Sequence, residues 1–238
     1  MHAGRRFTLT EVVFWTRRDI YFFVVLGAIP TALYTFLDWT WLTIPWVPIA
    51  MVGTAVAFIV GFKNNATYSR LWEARQIYGG IVNSSRSWAM MAIDFVGGGN
   101  AQDTARARLV HRHIAWLHAM RFQLRTPRAW EHMIKVYNRE YRQAYAVEEQ
   151  DGAKLADVLT GLITDQEKAL VLGKSNAATQ LIALQSKDLR ELHEAGAIDG
   201  LHHVEMEKLL VDLYDHQGKC ERIKNFPYPR QDVYKRQP

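Results

Sequence analysis

The chain has 238 residues, 49% of them hydrophobic, with 29 Lys and Arg against 24 Asp and Glu for a formal net charge of +5. A single cysteine, Cys220, excludes an intramolecular disulfide framework and fits a reducing compartment. The charge excess is small and partly flanks apolar stretches, so it marks no basic face of the kind that nucleic-acid binding requires, and no nucleic-acid partner is expected.

In chain order, residues 1–19 form a basic segment containing Arg5, Arg6, Arg17 and Arg18, followed by an uncharged apolar stretch from Ile20 to Leu37. At 1.5 Å per residue that stretch reaches about 27 Å, close to the roughly 30 Å hydrocarbon core of a bilayer. A signal peptide has a shorter apolar region, and here a second stretch, Ile44 to Phe62, follows directly after the loop Asp38 to Thr43. Residues 20–62 are therefore predicted to be a transmembrane helical hairpin with lipid as its surroundings. The loop has no Lys or Arg, whereas Lys63, Arg70 and Arg75 follow the second stretch, so the positive-inside rule puts both ends in the cytoplasm of a cell with this protein in its inner (plasma) membrane. Trp39, Trp41 and Trp46 fall at the outer turn, where indoles favour the headgroup level.

The second stretch is patterned. Thr54, Phe58 and Phe62 recur every four residues and form one slowly drifting stripe, beside a small-residue stripe of Gly53, Ala57 and Gly61 that permits close helix approach. In a symmetric oligomer the phenylalanines would ring a pore and gate it by dewetting; the alternative is that they face lipid or another helix.

Beyond residue 63 apolar spacing is helical in segments near 63–96, 101–124, 128–147, 165–195 and 199–224. Breaks fall at Gly97-Gly98-Gly99-Asn100, at Thr126-Pro127 and at Gly196 before Asp199. Residues 63–226 thus read as an all-α cytoplasmic domain, and 227–238 as a tail. No phosphate-cradling glycine loop, HExxH or paired CxxC is present, so no enzyme chemistry and no cofactor are expected. His111, His113 and His118 lie near one another on one helix and His202 with His203 on another, without a carboxylate at matching spacing, which favours packing or surface histidines over a metal site. Glu73, Glu148, Glu149, Glu205 and Glu207 read as solvated charges or helix pairing.

The segment Gly61-Phe62-Lys63-Asn64-Asn65-Ala66-Thr67-Tyr68-Ser69-Arg70-Leu71-Trp72-Glu73-Ala74-Arg75 resembles the prokaryotic members of the bestrophin family of ion channels, with Asn64, Asn65, Arg70, Trp72, Glu73 and Arg75 as the motif residues. A second block, Gly218-Lys219-Cys220-Glu221-Arg222-Ile223-Lys224-Asn225-Phe226-Pro227-Tyr228-Pro229, is similar to the family's later motif through Glu221, Arg222 and Pro227. The resemblance covers roughly residues 5 to 230. It implies a homo-oligomer, a pentamer, with one central ion pathway for chloride or monovalent cations, a neck at Thr54, Phe58 and Phe62, and a lower constriction near Leu172. Lys63 replaces the family's usual arginine and loses a planar bidentate donor. Thr54 puts a hydroxyl where an aliphatic side chain is usual, which implies a wetter ring, and Phe226 stands where threonine is expected.

The resemblance also implies a second pair of membrane spans after Pro229, which this sequence lacks, so the chain is expected to be a C-terminally truncated member whose assembly and conduction are open. The calcium-binding cluster of animal bestrophins follows those spans, so no calcium site is expected. Two other classes carry no positive motif: a membrane-anchored helical interaction or sensor domain, and a membrane-tethered metal-dependent enzyme using His111 and His118.

Overall fold

Apolar residues at three- and four-residue spacing need a facing surface, and this chain supplies it with helices. The computed structural model describes residues 9–43, 45–97, 100–128, 139–140, 149 and 152–226. They form α1 (Leu9–Leu37), a 3-10 turn (Thr40–Leu42), α2 (Trp46–Asp94), α3 (Asn100–Arg125), α4 (Leu155–Leu159), α5 (Asp165–Leu172), α6 (Ala177–Glu194) and α7 (Gly200–Asn225). No strand occurs among the described residues, as an all-α reading requires. Most of the predicted 128–147 helix, the glycines Gly98 and Gly99, Pro227 and the 227–238 tail lie outside the described residues.

The chain divides into two units, Met1–Ser69 with Ile134–Ala146, and Arg70–Met133 with Val147–Pro238. In the first, α1 and the start of α2 each carry an apolar window long enough to cross a membrane, and neither window is buried within the chain. Their polar side chains are satisfied locally: the hydroxyls of Thr31 and Thr35 donate to the carbonyls of Gly27 and Thr31 at 2.8 Å, next to Pro30, which cannot donate an amide of its own. Pro48 sits in the first turn of α2, where a missing amide proton costs little. Asp38 adopts φ 54° at the turn, and the Trp39 and Trp41 rings lie 6.0 Å apart there. Arg17 and Arg18 both pair with Glu140, at 3.2 and 2.5 Å.

The second unit packs α2's later half, α3, α6 and α7 around Trp88, Trp116, Leu109, Leu181, Leu189, Leu210 and Leu213. Local chemistry sets its helix ends. At the end of α6, Ala197 N–H donates to Leu192 O and Gly196 N–H to His193 O, both at 2.9 Å, with Gly196 at φ +72°, the αL position that glycine occupies without a Cβ penalty. Asp199 then caps α7 by accepting from the amides of Leu201 and His202 at 2.8 and 2.9 Å. The amide of Gly97, past the end of α2, donates to Ala197 O at 2.9 Å and ties the two predicted breaks together.

One expectation is corrected and one element is added. The single helix predicted over 165–195 is two, because Gly173 closes α5 and Asn176 restarts the chain as the cap of α6, its side chain accepting from Thr179 N–H at 3.0 Å. The short helix α4 and the turn at Gly161, φ +83°, had no periodic signal and were not anticipated.

Candidate functional site

Thr54, Phe58 and Phe62 lie on α2 within the first unit. Phe58 and Phe62 stack, ring centroids 6.4 Å apart and 28° between planes, and are 62% and 73% exposed. The Thr54 hydroxyl donates to Ala50 O at 2.9 Å. Its proton is therefore already used within the helix. Among the described residues a Cβ added at Gly53 or Gly61 would meet nothing within 4 Å, so the small-residue stripe has room for another helix. An exposed apolar surface of this size is stable only against lipid or a further protein surface.

The two motif blocks converge within the second unit. The Arg70 guanidinium donates to the carbonyls of Ile223 and Phe226, the latter at 3.0 Å, and Glu73 pairs with Arg222. Because Arg70 reads the backbone of residue 226, nothing in that contact demands threonine there. Glu221 is half-buried and accepts from Gln123 at 3.0 Å, Asn176 at 3.1 Å and Gln217 at 2.7 Å, while Gln217 accepts from the buried Trp116 indole at 2.9 Å. Asn64, Asn65, Trp72 and Arg75 are exposed along α2. Leu172, at the end of α5, is 41% exposed.

The histidines do not converge. His111 is exposed, His113 is buried between Trp88 and Trp116 with ring centroids 6.3 and 5.3 Å away, and His202 lies over Phe95 at 4.0 Å with its Nδ1 2.6 Å from Asp199. His203 stacks on His193 at 4.9 Å. Among the described residues no three His, Cys, Asp or Glu side chains are placed to hold a metal ion. Burial pushes His113 down to about 4, and its Nε2 has no hydrogen-bond partner among the described residues. His113 thus stays neutral when folded, while the unfolded chain takes up its proton near pH 6.5. Stability is expected to be full above pH 6.5, to fall by on the order of 3 kcal/mol as pH drops towards 4, and then to lose no more through this group. Urea unfolding across that range, with His113→Phe as reference, checks it: the variant's profile should be flatter.

A polar cluster joins residues that the sequence reading did not single out. Arg108 grips Asp188 through two 2.7 Å hydrogen bonds, and Arg112, 3% exposed, donates to Asp188 at 2.7 Å and also pairs with Glu167. These residues line a cleft of about 400 Å³ with Lys187 and Glu191. Burial alone would push the Asp188 and Glu167 carboxyls up, but hydrogen bonds from the two arginines to Asp188, and from Thr164 and Arg112 to Glu167, hold both below their ordinary range. Glu149 is corrected: its carboxylate is 4% exposed and pairs with Arg121 at 2.8 Å and Arg125 at 3.4 Å.

The fold and its exposed apolar helices define an all-α protein with two membrane-length helices. Its sequence matches the family described as Bacterial/Fungal Bestrophin protein over residues 7–234. It is 25% identical over 212 residues to the voltage-dependent anion channel-forming protein mll4386 of Mesorhizobium japonicum, covering 89% of this chain and 58% of that one. With the voltage-dependent anion channel-forming protein RSc3414 of Ralstonia nicotianae the identity is 31% over 182 residues, 76% of this chain and 51% of that one. The chain spans about half the length of these curated relatives. A crystal structure of a bacterial bestrophin homologue from Klebsiella pneumoniae superposes with a TM-score of 0.70 at 21% identity, over 92% of this chain and 69% of that one. The chain belongs to the bacterial and fungal bestrophin family.

Proposed function

We propose that the chain is a protomer of a bestrophin-like ion channel in the cell's inner (plasma) membrane, passing ions passively through the central pore of a homopentamer, with no chemical step. The observation that carries the reading is the exposed Phe58–Phe62 stripe on a membrane-length helix, running into the family block that spans Gly61 to Arg75. Rings of phenylalanine hinder a hydrated ion without binding it, which suits a gate rather than a selectivity filter. Thr54, Phe58 and Phe62 form the neck, Leu172 lines a lower constriction, residues 20–62 form the membrane hairpin, and the helical domain of 63–226 lies in the cytoplasm with the N-terminus.

The names of the Mesorhizobium and Ralstonia relatives specify anions, so chloride is the permeant ion proposed first, with monovalent cations as the competing species. Purified protein in liposomes is expected to pass chloride while the same preparation has the mass of a pentamer. Potassium flux without chloride flux would reassign the ion, and an inert monomer would overturn the channel reading.

A further inference from the structure

Helix α5 is eight residues long, and its last residue is Leu172. Val171 is buried and anchors one side, but Leu170 and Leu172 are exposed, so packing alone grips this helix weakly. Lys168 ties it to the Thr160 hydroxyl at 2.8 Å, and its ties to the Thr164 cap and to α3 meet at Glu167. One carboxylate oxygen accepts from the Thr164 amide and hydroxyl, each at 3.1 Å, while the Thr164 hydroxyl accepts from Glu167 N–H at 3.3 Å, a closed capping box. The other oxygen accepts from Arg112 on α3. Arg112 is in turn fixed by Asp188 and by the Leu184 carbonyl of α6, at 2.7 and 3.3 Å.

One side chain therefore joins the start of α5 to a buried ion cluster that cannot shift without leaving charge unpaired. Five residues of helix separate Glu167 from Leu172, about 7.5 Å, so a pivot of about 15° at Glu167 carries Leu172 about 2 Å. That is a large displacement for an apolar constriction, whose barrier depends steeply on radius.

We propose that Glu167 is a positioning residue of the ion pathway: by accepting from the buried Arg112 of α3 it fixes where α5 holds Leu172, and through Leu172 it sets the ion flux. The inference rests on the reading of Leu172 as a constriction. The experiment compares Glu167→Gln, Thr164→Ala and Leu172→Ala by flux in liposomes. In parallel, the rate at which a charged thiol reagent modifies the Leu172→Cys variant, in a Cys220→Ser background, is measured with and without Glu167→Gln.

Leu172→Ala and Glu167→Gln are each expected to change flux at least twofold, and Glu167→Gln to change the modification rate at least twofold, whereas Thr164→Ala, which loses the cap but keeps the tie to Arg112, leaves flux within twofold of the unmodified protein. A change in flux with Leu172→Ala but none with Glu167→Gln overturns the proposal and leaves the constriction standing. An equal change with Thr164→Ala overturns it too, since loosening of the helix would then suffice. No change with Leu172→Ala overturns the constriction reading itself. Where Glu167→Gln does not assemble, Glu167→Asp, which keeps the charge but shortens the reach, carries the same expectation.

Discussion

Replacing Phe58 and Phe62 together by alanine is expected to raise ion flux about tenfold, because removal of two stacked rings per protomer widens the proposed neck and admits water where the native surface sheds it. The magnitude asks little of the physics: a barrier lower by about 1.4 kcal/mol multiplies a rate tenfold. The control is the pair Phe22 and Phe23 on α1, which is as exposed as the neck pair and packs edge to face at 5.6 Å. Read as lipid-facing, Phe22→Ala with Phe23→Ala should leave flux within about twofold. Unchanged flux in the neck variant would return Phe58 and Phe62 to the role of lipid or helix contacts. A smaller effect of opposite sign is expected for Thr54→Val, which removes the hydroxyl and dries the proposed outer ring.

How much of this was legible from residues alone varied with the range of the interaction. The apolar stretches, the Gly196 stop and the Asp199 start are written in neighbouring residues, and the helices follow them. The division of 165–195 was hidden because the leucine spacing continues on both sides of Gly173 and Asn176, and periodicity does not register a cap. The convergence of Arg70 and Glu73 on the end of α7 joins residues about 150 positions apart, which no local pattern encodes. Among buried charges, one signal was available. Asp188 sits within the apolar stripe of Leu181, Leu184 and Leu189, and Arg108 and Arg112 flank the buried Leu109 with a four-residue spacing. A charge inside such a stripe has to be paired. Arg112 and Glu167, the residues on which the proposed positioning of Leu172 turns, carried no motif and were not singled out.

Loss of the Asp188 carboxylate is expected to be the most damaging single change in the helical domain. In Asp188→Ala the Arg112 guanidinium, its side chain 4% exposed, keeps Glu167 but loses its 2.7 Å tie to α6, and Arg108 loses both of its hydrogen bonds to that helix. Breaking a buried pair from one side costs about 3–5 kcal/mol, against a median near zero to 1 kcal/mol for exposed pairs. For a domain of this size that is a drop in Tm on the order of 10 °C, measurable by thermal unfolding of the solubilised protein. By contrast Lys187→Ala, next to Asp188 on the exposed side of α6, should shift Tm by about 1 °C or less, since its 3.6 Å contact with Glu191 is solvated. The double variant Arg112→Met with Asp188→Leu should recover most of the loss, because an apolar pair of similar volume asks for no desolvated charge. A double variant as unstable as Asp188→Ala would mean that the remaining charges, Arg108 and Glu167, depend on the pair for their own compensation, so that the cluster acts as one unit of four residues across α3, α5 and α6.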